Sequence, residues 1–396
     1  MRLPRIQRGV FNAECRGLLA LLLLGVASAG CTAQPAHRAD CVGYYTLDLP
    51  GAVEYAVHQP NPVFAHPNTD SVVLVERSVF QDVQAPRFAD GLSVWGSNVS
   101  TTSETNKAEL AILANWRNYQ VEKARAQLLE DIKKFADRPA LKKRLEEQAA
   151  EPVRSYKPFN NGTVYAVEQP DEVSMLALIG NRIADATWRK TGTVQQAIDA
   201  FLATRRPRAV FEIPSEPGVC LAYQFHRARG TQPADVAVSM RLKDRPDIVI
   251  YLRDQPVDTS DEAPASAEAF IKKAVHPNTY FYATELTQPL DGKVRSFRSI
   301  TIDGREGLGA FALVTRKVMQ GTDAVHNESN KNQDWAYIAY VPGDKNAPMG
   351  LSSDLTFRVE RFGRFATQPM TEKEFRELVK TIAVSIKRRP GAWRAH

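Results

Sequence analysis

The sequence contains none of the short motifs that commonly mark a catalytic centre. It has no G-x-S-x-G turn to present a nucleophilic serine and no H-E-x-x-H pair to bind zinc. Gly304, Gly307 and Gly309 are not followed by the Lys-Ser or Lys-Thr pair of a phosphate-binding loop. These absences argue against serine hydrolases, zinc peptidases and P-loop enzymes, so we predict a protein without catalytic residues and without a cofactor.

Histidine is also sparse, with seven residues in 396, and the histidines do not cluster with carboxylates at the spacing of metal ligands. His58 and His66, which flank the proline-rich segment HQPNPVFAHP, are the pair to consider as a metal site. Histidines in surface loops are far more often solvated than bound to metal, so we predict no metal site.

No apolar run reaches the roughly 20 residues that a membrane-spanning helix needs. The stretch LLALLLLGVASAGC, from Leu18 to Cys31, follows an arginine-bearing start and ends in small residues before Cys31. That is the layout of a secretory signal peptide. A cysteine at this point is similar to the end of a bacterial lipobox, although Ser28 stands where lipoboxes prefer Leu.

We therefore predict that residues 1–30 are a signal peptide and that Cys31 receives a diacylglycerol with its fatty-acyl chains, such as palmitate. The alternative is ordinary secretion with an incidental cysteine. Thr32, rather than Asp, follows Cys31, which favours the outer membrane. Residues 31–40 are small and polar and suit a tether, so we expect a periplasmic domain anchored to a membrane by lipid.

Neither basic nor acidic residues are concentrated in one part of the chain. The formal net charge is +6, and residues 1–30, with four Arg and one Glu, contribute +3 of it. Proteins that bind nucleic acid carry basic residues concentrated on one face or in one run. We expect no nucleic-acid partner.

Cysteine is scarce, with four residues in the chain. Cys15 lies in the predicted signal peptide and Cys31 is predicted to be acylated, which leaves Cys41 and Cys220. There is no C-x-x-C pair, so a redox enzyme is not indicated. In an oxidising periplasm Cys41 and Cys220 could form a disulfide, or they could be two separate buried thiols, and spacing alone does not decide between these.

Two halves follow the tether. We predict an N-terminal domain over 41–204 with strands at 41–49, 71–79 and 92–95, then a long helical arm of two helices over 104–135 and 139–149. Pro139 interrupts the arm and Asp137 could cap its second helix. Three strands and a helix that Thr193 could cap complete this half. Residues 205–218 contain three prolines and form a linker.

The C-terminal domain, 219–392, repeats this order: a Cys-led strand, a hairpin, a helix, more strands, and a helix ending in two basic residues and a proline. Thr371 and Glu374 form a capping box for the last helix. We predict an α+β fold of two related domains, each an antiparallel sheet with helices packed on one face. The polar loops 324–333 and 343–350 could be recognition loops or merely solvated ones.

Several stretches of the chain resemble one family. They are CVGYYTLDLP at 41–50, PGVCLAYQF at 217–225, AYIAYVPGDKNAPMGLSSDLTFRVE at 336–360 and SIKRRPGA at 385–392. The family is that of immunity lipoproteins against type VI secretion phospholipase effectors of the fourth lipase class. Tyr44 departs from the Arg expected there, and the loop after Gly343 is remodelled.

The resemblance implies a non-enzymatic protein whose two domains clamp a phospholipase effector delivered to the periplasm and hold its active-site mouth shut. The partners would be that effector protein and, through the lipid anchor, the outer membrane. The first alternative is an envelope lipoprotein that acts in assembly or ligand binding. The second is a hydrolase with an unrecognised site.

Overall fold

The computed structural model describes residues 37–57, 101–227, 235–257, 266–274, 284–289, 297–316, 334–347 and 352–392. Several predicted features lie outside the described residues: Cys31, His58 and His66, the strands at 71–79 and 92–95, and the loop at 324–333. None of the helices within the described ranges has the length and apolar character needed to cross a membrane.

The chain begins with a tight hairpin of two strands, β1 (Arg38–Val42) and β2 (Tyr45–Leu49). Gly43 and Tyr44 form the turn, and Gly43 has a φ of +59°, which glycine adopts at little cost. The strand predicted over 41–49 is therefore a hairpin. The aromatic and β-branched residues that indicated one strand belong to two, and the chain reverses at the glycine between them.

A five-stranded antiparallel sheet follows a third strand, β3 (Val53–Tyr55). Its strands, in the spatial order β4-β8-β7-β6-β5, are β4 (Thr101–Glu104), β5 (Lys157–Phe159), β6 (Val164–Glu168), β7 (Glu172–Ile179) and β8 (Arg182–Arg189). Three of these strands match the predicted ones, and Asn181 lies in the predicted turn between β7 and β8.

Helix α1 (Lys107–Lys134) begins at a capping box formed by Asn106 and Glu109. Helix α2 (Pro139–Ala150) packs against α1. The two helices of the arm thus form as predicted, but Asp137 does not cap the second. The residue before α2 is Arg138, whose guanidinium has no acceptor atom and therefore makes no capping hydrogen bond, and Pro139 is a favourable first residue of the helix.

Helix α3 (Val194–Thr204) begins at the predicted cap Thr193, which forms a capping box with Gln196. Successive residues of a strand face opposite sides of a sheet. Met175 of β7 lies in a core with α3, whereas its neighbour Leu176 lies in a core with α1. The five-stranded sheet therefore has a helix on each face, rather than helices on one face only.

Between α3 and the second large sheet, strand β9 (Arg205–Pro207) and the strands β10 (Val219–Leu221) and β11 (Gln224–His226) form a small antiparallel sheet. The second Cys-led stretch is thus also a two-residue hairpin, with Tyr223 at a φ of +59°. In both hairpins the two turn residues are the second and third residues after the cysteine: Gly43 and Tyr44 after Cys41, and Ala222 and Tyr223 after Cys220.

The largest sheet is antiparallel and combines both ends of the chain. Its path is β14-β16-β17-β18-β13-β12-β3, with β15 paired to β16. The strands are β12 (Val236–Leu242), β13 (Ile248–Gln255), β14 (Thr284–Pro289), β15 (Arg298–Ile302), β16 (Arg305–Arg316), β17 (Asp334–Val341) and β18 (Asp354–Arg361).

Helices α4 (Ala267–Ala274) and α5 (Glu372–Ser385) cover the two faces of this sheet, and the last strand, β19 (Lys387–Arg388), pairs with β2. Ile338 packs with α4, whereas its neighbour Tyr337 faces the core of α5. The predicted capping box of Thr371 and Glu374 is present. The predicted α+β class, with antiparallel sheets and packed helices, is confirmed.

Within the described residues, the largest hydrophobic core is separate from the two cores that pack on the five-stranded sheet. Val42, Leu47 and Val53 share one core with Phe357 and Ile382, far along the chain. We call the described residues of 38–57 and 219–392 the large lobe; residues 101–204, which contain their own cores, are the small lobe. Residues 38–57 thus pack with the second half, because β3 pairs with β12 and β2 pairs with β19.

Candidate functional site

The two Cys-led hairpins are joined to each other. Cys41 and Cys220 form a disulfide with their Cα atoms 5.7 Å apart, and both residues are fully buried. The backbone N–H of Gly43 donates to the oxygen of Cys220 at 2.8 Å, and the N–H of Cys220 donates back to Gly43 at 2.9 Å. The link connects segments 179 residues apart, so it ties the start of the described chain to its middle.

A buried ion pair lies beside the disulfide. The Nη1 of Arg208 donates to Asp40 Oδ1 at 2.6 Å and its Nη2 donates to the hydroxyl of Tyr55 at 2.9 Å. That hydroxyl donates to Asp40 Oδ2 at 2.7 Å, and burial raises the pKa of Tyr55 well above its usual range. Because the Arg208 and Asp40 side chains are fully enclosed, they meet no substrate, and their chemistry is structural.

A second buried carboxylate holds the turn of the first hairpin. Oδ2 of Asp254 accepts the backbone N–H of Tyr44 at 2.9 Å. Burial raises the pKa of Asp254 to about 6. A Cβ atom at Gly43 would lie 2.5 Å from the same oxygen, so this position requires glycine both for its φ and for its space.

The end of the chain reaches the same place. The backbone N–H of Arg389 donates to the oxygen of Tyr44 at 2.8 Å. Its guanidinium donates to the carbonyls of Pro214, Glu216 and Gly218. Sequence analysis proposed neither this arginine nor Asp40, Arg208 or Asp254, because a buried polar partner is set by the tertiary fold and has no local signal.

Four distant stretches of sequence therefore converge on one buried anchor. We define the anchor as the disulfide, the Asp40–Arg208–Tyr55 network, Asp254 and Arg389. The stretches 41–50, 217–225 and 385–392 contribute to it directly. The stretch 336–360 adds no residue to the anchor but contacts the first hairpin beside it, where the hydroxyl of Ser353 lies 3.1 Å from that of Tyr45.

The small lobe contacts the large lobe through the second hairpin. The guanidinium of Arg182 lies over the ring of Tyr223, 3.7 Å from its centroid. The rings of Trp188 and His226 have centroids 6.0 Å apart. Burial, and then the charge of Arg205, lower the pKa of His226 to about 3, so this histidine stays neutral at physiological pH.

The helical arm offers exposed apolar surface. Only the first part of α1 covers the five-stranded sheet, through Leu110 and Leu113, and α2 has no buried residue. On the outer side of α1, Ile112 and Tyr119 are 55% and 58% exposed, seven residues apart. This spacing places them on one face of the helix, where a partner could contact both.

A groove of about 520 Å³ lies at the β5 edge of the five-stranded sheet. Its apolar lining includes Val153, Phe159 and Val194, and charged side chains surround it. Within the groove Lys190 donates to Glu168 at 2.8 Å, and this hydrogen bond lowers the pKa of Glu168. No motif in the sequence indicates this groove, because its walls come from β5, β6, α3 and the segments that follow α2, β6 and β8.

The described part of the predicted loop 343–350 is held in place. Asp354 Oδ1 accepts the N–H of Gly343 at 2.8 Å, and the hydroxyl of Ser352 accepts that of Asp344 at 2.6 Å. Among the residues whose structure is described, no cluster of three or more His, Cys, Asp or Glu side chains could hold a metal ion.

No protein-family model matches this chain, and no curated protein matches it. Among solved structures it is similar to the immunity protein TplEi of T6SS from Pseudomonas aeruginosa complexed with "L" peptide. The identity is 15% and the TM-score 0.43, and the alignment covers 90% of this chain and 99% of the TplEi chain. It is also similar to a chain of the Tle4–Tli4 complex, at 14% identity and a TM-score of 0.45, over 90% and 99%. These structural neighbours are immunity proteins of type VI secretion.

Proposed function

We propose that this chain is an immunity lipoprotein that binds a phospholipase effector of type VI secretion in the periplasm and inhibits it. The observation that carries the proposal is the convergence of the four stretches that resemble the family. Chance matches would be scattered over the fold. Here three of them contribute Cys41, Cys220 and Arg389 to the anchor, and the fourth contacts the first hairpin through Ser353 and Tyr45, so the resemblance lies around one buried part of the molecule.

We propose a binding role rather than an enzymatic one. Asp40 and Arg208, whose side chains are fully enclosed, are satisfied by each other and by Tyr55. A catalytic acid or base has to reach the proton that it moves. These groups serve the fold, and the exposed features, the arm and the groove, are of the kind that contact other proteins.

We further propose that the effector is clamped between the two lobes. Each lobe has its own hydrophobic core, which makes each a firm platform. An inhibitory complex of this kind buries roughly 1,200–2,000 Å² and depends on a few aromatic or arginine contacts. Tyr119, on the exposed face of α1, is a candidate for one of them.

The anchoring at Cys31 and the periplasmic location are part of the same proposal. A buried disulfide between Cys41 and Cys220 suits an oxidising compartment. Full-length protein should fractionate with the outer membrane and incorporate labelled palmitate. Cys31→Ser should abolish both, and unchanged fractionation of this variant would refute the lipid anchor.

The proposal predicts that a phospholipase with a G-x-S-x-G turn is encoded beside this chain, and the experiment that tests the function uses that phospholipase. The chain without residues 1–31 should form a stoichiometric complex with it and suppress its hydrolysis of phospholipid vesicles. If the phospholipase remains fully active and no complex elutes in size-exclusion chromatography, the proposal is wrong. If this chain instead binds a protein of envelope assembly, the alternative role as an envelope lipoprotein in assembly is favoured.

A further inference from the structure

We infer that the groove beside β5 binds an extended acidic segment of the protein partner. The inference rests on the proposed function for the identity of that partner, the effector, but its support comes from the groove itself. Three properties of the groove lead to it: its apolar lining, its uncompensated positive charge and the sheet edge beside it.

The lining selects an apolar side chain. Phe159 and Val194 are half-buried against the core between α3 and the sheet, so they present a fixed surface. Val153 is 41% exposed at the mouth of the groove. A volume of about 520 Å³ falls within the usual range of ligand clefts, roughly 300–1,000 Å³. Burial of an apolar side chain there would provide affinity without any change in the lobe.

The charges select acidic neighbours for that side chain. Arg154, Lys157 and Lys190 line the groove, and Glu168 is their one acidic counterpart among its described lining residues. Lys190 already pairs with Glu168 at 2.8 Å. The side chains of Arg154 and Lys157, both exposed, make no hydrogen bond or close ion pair within the described structure, and their charges act on Glu168 only at longer range. Two cations therefore remain available to carboxylates of a bound chain.

The sheet edge favours an extended chain but not strand addition to β5. In the described structure β5 ends its sheet, and it has three residues. Pro158 stands in the middle of it and has no N–H to donate, which disfavours pairing with a further strand. Recognition therefore depends on the side chains of the groove. We therefore expect the bound segment to have an apolar residue with acidic residues on either side of it. The apolar residue would contact the apolar lining, and the acidic residues would pair with Arg154 and Lys157.

The test uses the mature chain in complex with its effector. Arg154→Glu and Lys157→Glu reverse the two free charges, and Lys373→Glu, an exposed lysine on α5, is the matched control. Exposed ion pairs contribute modestly, so we expect each reversal to raise Kd roughly fivefold and the double variant to raise it roughly 20-fold. The effect should shrink at high salt, and Lys373→Glu should leave Kd unchanged.

A second measurement locates the contact directly. A zero-length carbodiimide reagent joins an amine to a carboxylate in contact with it, and mass spectrometry identifies both peptides. We expect Lys157 to be joined to an acidic segment of the effector, and Lys157→Arg to lose this product while Kd stays nearly unchanged. If the double variant binds as tightly as the parent and Lys157 yields no product, the groove inference is wrong while the proposed function stands. If the parent itself does not bind the effector, the proposed function fails.

Discussion

Removal of the Cys41–Cys220 disulfide is the perturbation with the largest effect that can be worked out from the structure. The bridge closes a loop of 179 residues. In the chain-entropy description, opening a loop of this length returns about 5 kcal/mol of conformational freedom to the unfolded chain. Measured losses on removing native disulfides are about 2–5 kcal/mol, so we expect a loss near the upper end of that range.

The loss should lower stability without abolishing the fold. Whole domains are stable by only about 5–15 kcal/mol, so 5 kcal/mol is a large part of the total. The hydrogen bonds between Gly43 and Cys220 and the surrounding core remain when the bridge is reduced. For a compact unit spanning residues 36–396, an unfolding entropy of about 2.1 cal/mol/K per residue converts this loss to a decrease in Tm of about 7 °C.

The assay compares the oxidised and reduced forms of the chain without residues 1–31, in which Cys41 and Cys220 are the only cysteines. Alkylation in denaturant should find no free thiol before reduction and two after it. Thermal unfolding should show the decrease in Tm with unchanged far-UV circular dichroism at 25 °C. Two free thiols in the untreated periplasmic protein, or identical Tm values in the two states, would refute the reasoning.

Three substitutions, two in the anchor and one at Gly43 beside it, test the other contacts by urea unfolding. Asp254 has a folded pKa of about 6, above the ordinary 3.8, so its ionisation costs stability as pH rises through this window. Asp254→Asn should therefore raise the free energy of unfolding by up to about 3 kcal/mol at pH 7.5 and flatten its dependence on pH between about pH 4 and 6. A lower free energy of unfolding at pH 7.5 would contradict this. Arg208→Met leaves the Asp40 carboxylate buried without its partner, so the free energy of unfolding should fall by about 3–5 kcal/mol. Adding Asp40→Asn to this variant should restore part of the loss. Gly43→Ala should lower the free energy of unfolding by at least about 2 kcal/mol, because Gly43 has a positive φ and its added Cβ atom would clash with Asp254. The control Gly304→Ala, also at positive φ but with nothing within 4 Å of the added Cβ atom, should lower it by about 1 kcal/mol. Equal losses in the two variants would exclude a clash at Gly43.

The sequence predicts best those features that depend on neighbouring residues. Thr193 and Thr371 were predicted as caps and both are, because a capping box needs only the residue three positions later. The first hairpin was missed for a related reason. Gly43-Tyr44 is not one of the strong turn pairs such as Asn-Gly, so the run from Cys41 to Leu49 resembled a single strand.

The candidate site depended on distant contacts, and little of it could be predicted. The pairing of β3 with β12 joins residues nearly 190 positions apart, and no local pattern specifies it. Arg208 was placed in a linker, where an arginine is expected in solvent, whereas it is buried with Asp40. The groove likewise combines residues from β5, β6, α3 and the segments that follow α2, β6 and β8, and none of these segments has a sequence pattern that indicates a groove.

The anchor also bears on binding, although it is not part of the groove. The small lobe contacts the second hairpin through Arg182 on Tyr223 and Trp188 on His226, and the disulfide fixes that hairpin to the first. Fixing a flexible element before association lowers the entropy lost on binding. A protein that holds a partner between two lobes gains affinity when the lobes are already oriented. The buried disulfide at the centre of the fold is therefore expected to strengthen binding at surfaces that it does not touch.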